Sequence, residues 1–79
     1  MNDKIPMFRF EELIKRKGFS KKEFYYRLKK KGYTNSYTSF TKITKYKNQF
    51  TNQSIGVIKM FADELGLSLE AFLEEINNN

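Results

Sequence analysis

The sequence contains neither cysteine nor histidine. Without cysteine no disulfide can staple a small fold. Without histidine there are no zinc fingers, no histidine-based triads and no zinc hydrolase centres. Arginine is scarce: Arg9, Arg16 and Arg27 are the only three. Long apolar runs are missing too. Ile55-Gly56-Val57-Ile58 is broken by Lys59, and nothing approaches the roughly 18–20 residues that a membrane span needs. The first residues carry Asp3 and Pro6 and no apolar stretch, so no secretory signal is expected. A chain free of cysteine suits the cytosol, and a cytoplasmic location is the expectation.

What is present is enough for one core and no more. Seventy-nine residues make a single domain, 1–79, with its folded part expected at about 9–76,. A core of this size supplies only about 3–5 kcal/mol of net stability. The 39% hydrophobic content places the chain among folded rather than disordered sequences,. Eight phenylalanines and five tyrosines supply large buried areas,.

The net charge of +6 is unevenly distributed. Residues 1–50 carry +10 and residues 51–79 carry −4. Between Lys15 and Lys47 there are twelve cations against Glu23 alone. Such a field favours a polyanion, nucleic acid before anionic membrane. The plainer alternative is a solvated face, which isolated lysines usually form.

Hydrophobic spacing divides the chain into helices. Phe10, Leu13 and Ile14 share one face of a helix from about Arg9 to Lys17, closed by Gly18,. Ser20-Lys21-Lys22-Glu23 is a capping box that opens a second helix carrying Phe24 and Leu28, and Gly32 stops it after three lysines,. Tyr33-Thr34-Asn35 reads as a turn. Ser36 caps a third helix with Phe40 and Ile43 as its buried pair, although its β-branched threonines also suit a strand,. Residues 46–53 read as irregular. Ser54 opens a fourth helix with Ile55, Ile58, Phe61, Ala62 and Leu65 on its inner face, ended by Gly66. Ser68 opens a fifth with Leu69, Phe72, Leu73 and Ile76, and Leu67 is placed to staple onto Phe72,. The tails, 1–4 and 77–79, are expected to fray. The expected fold is all-α, with five short helices.

At this point the residues resemble a family. Phe10 to Phe24, with Lys17-Gly18-Phe19-Ser20 at its centre, resembles the opening of lambda Cro/repressor-like (XRE-type) helix-turn-helix domains. Phe61-Ala62-Asp63-Glu64-Leu65-Gly66-Leu67-Ser68-Leu69-Glu70-Ala71-Phe72-Leu73 resembles their closing segment. Three departures stand out. Lys21 stands where the family has Gln, and bulky Tyr25 where it has a small Ala. The connections over 29–35 and 44–53 are longer than usual. Tyr25 and the long turn together predict that the two motif helices are splayed or displaced.

The resemblance implies a double-stranded DNA-binding transcription regulator, a repressor of the phage, plasmid or mobile-element type. The third helix would enter the major groove, its first residues at base edges. Tyr37, Thr38 and Lys42 would face bases, with Thr41 and Lys45 beside them. Lys21 and Ser36, at helix N-termini, would meet phosphates. Arg27, Lys29, Lys30, Lys31, Lys47 and Asn48 are further backbone candidates. Tyr37 has the alternative of packing on the core, and Lys29 to Lys31 that of a solvated helix end. Arginine, the commonest guanine reader, is absent from the third helix. An AT-rich, pseudo-palindromic site read through thymine methyls, threonine hydroxyls, Lys42 and DNA shape is therefore expected. A two-fold dimer would double the small footprint, through residues such as Leu73 or Ile76.

Two other classes compete. Tyr25, Tyr26, Tyr33, Tyr37 and Tyr46 among lysines could stack single-stranded nucleic acid or RNA. The same fold could also serve as a protein-interaction module, an antitoxin or adaptor. An enzyme is not expected. The adjacent carboxylates Glu11-Glu12, Asp63-Glu64 and Glu74-Glu75 point about 100° apart on a helix and read as solvated faces. No cofactor, metal, small-molecule ligand or membrane contact is expected.

Overall fold

Ser20, Ser36, Ser54 and Ser68 divide the chain into helices as their sequence contexts require. In the computed structural model, residues 9–77 are described. They form α1 (Phe10–Arg16), α2 (Lys21–Lys30), α3 (Tyr37–Lys45), α4 (Lys47–Thr51), α5 (Ile55–Leu65) and α6 (Leu69–Asn77). No strand occurs among the described residues.

Each serine side chain accepts the backbone N–H three residues on, from Glu23, Ser39, Val57 and Ala71. At α2 the capping box is complete, because Glu23 reaches back to the Ser20 N–H at 3.2 Å. Such caps satisfy N–H groups that the first turn leaves unpaired, each contributing about 1 kcal/mol. Helices α1, α2 and α5 end alike. The N–H groups of Phe19, Tyr33 and Leu67 reach back to the carbonyls of Ile14, Leu28 and Ala62. Gly18 and Gly32 have φ of +93° and +105°, a left-handed region that a side chain would make costly.

The core is organised around Phe10. Its ring meets one phenylalanine from each of the other five helices among the described residues. The partners are Phe24, Phe40, Phe50, Phe61 and Phe72, with centroids 5.1 to 6.2 Å away. Four of these contacts are edge-on, the geometry favoured by the aromatic quadrupole. Each such buried side chain contributes about 1.5–3 kcal/mol of transfer free energy.

Several expectations are corrected. Six helices are found rather than five, because Lys47–Thr51 is helical where an irregular stretch is expected. Five residues with Phe50 as the single apolar side chain are too short to show a helical period. Tyr46, extended at φ −120° and ψ 122°, is the joint that closes α3 and opens α4. The connection after α3 is therefore a corner between two helices and not a long loop. Ile55 is 63% exposed rather than on the inner face of α5; it occupies the first helical position, before the helix is seated. Asn77 belongs to α6; residues 1–4, 78 and 79 lie outside the described residues. Among those described, no helix is long and apolar enough to cross a membrane.

Tyr25 packs into the core between α2 and α3. It is buried, with rings of Tyr33, Tyr37 and Phe40 between 5.2 and 6.2 Å away. Its hydroxyl donates to the Asn35 carbonyl at 2.8 Å. That bond ties the turn before α3 to the tyrosine.

Candidate nucleic-acid interface

Helix α3 buries Phe40, Ile43 and Thr44. The opposite row therefore faces outward. Thr38, Lys42 and Lys45, spaced i, i+4 and i+7, are all exposed,. No acid pairs with either lysine among the described residues. Thr41 is half-buried beside them and donates its hydroxyl to the Thr38 carbonyl at 2.7 Å. That bond engages its proton and leaves an acceptor and a methyl group to present. The helix is held by contacts with α1, α2 and α4.

Tyr37 takes an intermediate place. It is half-buried, edge-on to Tyr25 at 5.2 Å, and Lys22 Nζ lies 5.6 Å from its ring centroid. Packing thus claims one face of the ring. Ser36 is exposed and caps α3. Lys47 and Asn48 are half-buried in α4, straight after α3. Asn48 Oδ1 is buried with no hydrogen-bond partner.

Three of the other expected phosphate contacts, Arg27, Lys31 and Lys21, are engaged by acids. Arg27 lies 3.4 Å and Lys31 3.0 Å from Glu64 of α5, whose side chain is only 8% exposed. Arg27 also stacks 4.5 Å from the centroid of Phe19. These two cations hold α2 on α5. Lys29 leans toward the Tyr25 ring, 5.8 Å from its centroid. Lys30 is exposed beside the exposed Tyr26, along a groove that also contains Glu23 and Glu64. Lys21 is paired with Glu11 of α1.

Arg9 and Arg16 pair with Glu12 and with Glu75 of α6 at 3.5 to 3.8 Å. All three arginines therefore face intramolecular acids. The basic surface beside α3 is a lysine surface. Exposed pairs of this kind contribute little to stability, but they decide which cations remain available.

The sequence leads one to expect solvated carboxylates, and two of them are not. Glu64 is enclosed by two cations and Glu11 is part-buried against Lys21 and Thr44, whereas Glu75 pairs with two arginines while its side chain stays open to solvent. Thr44 and Glu11 are the participants the sequence hides. Thr44 sits at i+4 from Phe40, the one signal that places it on the inner face,. Tyr33, in the turn between α2 and α3, is buried. Burial pushes its phenol above the ordinary value of 10.0; a hydrogen bond from Asn35 opposes this, and Tyr25 adds to it.

No family model, no curated protein and no solved structure matches this chain.

Proposed function

We propose that this chain is a sequence-specific double-stranded DNA-binding regulator, a repressor of the lambda Cro/repressor-like helix-turn-helix type, with α3 in the major groove. The observation that carries this reading is the outer row of α3. Thr38, Lys42 and Lys45 are exposed and free of acids among the described residues, on a helix whose other side is anchored by Phe40, Ile43 and Thr44. A rigid helix presenting donors is what base readout requires. The lysine-rich surface around it supplies attraction to phosphates.

The engagement of all three arginines with acids supports a site poor in guanine contacts. Thymine methyls, threonine and Lys42 are left to read an AT-rich sequence, with DNA shape as a second source of preference. Single-stranded binding is the weaker reading. Tyr25 and Tyr33 are buried, so two of the five candidate stacking rings are unavailable.

A dimer on a pseudo-palindrome would give the footprint that one short module lacks. Ile76 lies in the core and Leu73 is half-buried against it, which leaves Leu73 as the better contact of the two. Sedimentation of free and DNA-bound protein tests this, and a monomer in both states defeats it.

Selection from a random duplex pool tests the readout. An AT-rich, two-fold related consensus is expected. A GC-rich consensus with a strict guanine would contradict this mode of recognition.

A further inference from the structure

Glu11, Lys21 and Thr44 meet where α1, α2 and α3 converge. Glu11 Oε2 accepts from Lys21 Nζ at 2.5 Å and lies 3.3 Å from Thr44 Oγ1. Thr44 is buried. Its hydroxyl has one proton to give, and the Thr41 carbonyl, at 2.8 Å, is the nearer acceptor. In the free protein Glu11 therefore depends on Lys21 for compensation.

Lys21 is the first residue of α2. The capping box takes the N–H groups of Ser20 and Glu23, so a phosphate approaching this helix end would gain from those of Lys21 and Lys22 and from the ammonium. It would have to take that ammonium from Glu11. The two side chains are 25% and 34% exposed, so the exchange is open to an incoming anion. Once Lys21 leaves, the Thr44 hydroxyl is already within reach and can turn its proton from Thr41 to the carboxylate.

We infer that Glu11 is a specificity-determining residue: it competes with DNA phosphates for Lys21, and Thr44 replaces Lys21 as its partner when a well-seated duplex draws the lysine away. The inference rests on the duplex-binding reading above. Nonspecific affinity is almost wholly a phosphate term. A carboxylate that withholds one cation from loosely held duplexes therefore lowers background binding. A duplex that seats α3 holds a phosphate at α2 firmly enough to win the exchange.

The test compares a selected 20-base-pair duplex with its scrambled counterpart, titrated at several salt concentrations. Glu11→Gln is expected to tighten the scrambled duplex about 3- to 5-fold, the worth of one partly exposed ion pair. The salt slope on that duplex should steepen by about one. Affinity for the selected duplex should change less, so the preference falls. Glu74→Gln removes the same charge from an exposed residue with no ion pair among the described residues and should leave the preference unchanged. Adding Lys21→Met to Glu11→Gln should abolish the gain. Thr44→Val should weaken the selected duplex while sparing the scrambled one. If Thr44→Val fails to fold, as a thermal melt would reveal, the Glu11 and Lys21 variants decide.

Equal shifts on both duplexes for Glu11→Gln and Glu74→Gln, or a gain that survives loss of Lys21, would overturn the inference while leaving the duplex reading intact. A wild-type protein without duplex affinity would overturn the reading, and the inference with it.

Discussion

The Tyr25 hydroxyl donates to the backbone carbonyl of Asn35 at 2.8 Å. This bond joins the middle of α2 to the residue just before the Ser36 cap of α3. It fixes where the third helix starts, so a side chain in the core helps to aim the candidate recognition surface. Tyr25→Phe keeps the ring and removes the bond. The expected loss is about 0.5–1.5 kcal/mol by denaturant unfolding. No loss at all would mean that the turn holds its shape without Tyr25.

Phe10 is more consequential. Its ring is fully buried and meets a phenylalanine from every other helix among the described residues. Phe10→Ala leaves a cavity and should cost about 3–5 kcal/mol. That is close to the whole net stability of a domain this small, so the variant should be largely unfolded at 25 °C by circular dichroism. A cooperative melt near that of the wild type would contradict the central role of this ring.

Tyr33 carries a pH signature. Burial raises its phenol above 10.0. The folded state therefore prefers the neutral phenol more strongly than the unfolded chain does. This stabilisation is fully present below pH 10 and is lost as pH rises through the raised folded value. Stability should fall on the alkaline side, and Tyr33→Phe should flatten that fall. Parallel alkaline curves for wild type and variant would show that other groups cause it.

Much of the fold is legible in the sequence because its signals are local. The serine caps, the glycine stops and the spacing of Phe10, Phe24, Phe40, Phe61 and Phe72 each need only a few neighbouring residues. Helix α4 is hidden because one apolar residue in Lys47–Thr51 has no period to display. Ile55 is misplaced because a helical stripe does not say which of its turns reaches the core. The site is less legible still. Thr38, Lys42 and Lys45 emerge on the outer face of α3 as expected. The partners of Arg27, Lys31 and Lys21 depend on residues 10 to 37 positions away, and no local pattern encodes such pairings.

The outer row of α3 separates recognition from stability. Thr38 and Lys42 are exposed, so replacing either with alanine should change stability by no more than about 0.5 kcal/mol. If each reaches a base edge, the same changes should weaken the selected duplex by about 1–3 kcal/mol. Binding curves beside thermal melts check this. Unchanged affinity would move the readout away from α3.

The central claim, specific duplex recognition, is tested most directly by titrating wild-type protein with selected and scrambled duplexes at several salt concentrations. A preference of about 10³-fold or more is expected, with affinity falling steeply as salt rises. Equal weak binding to every duplex, or tighter binding to single strands, would contradict it.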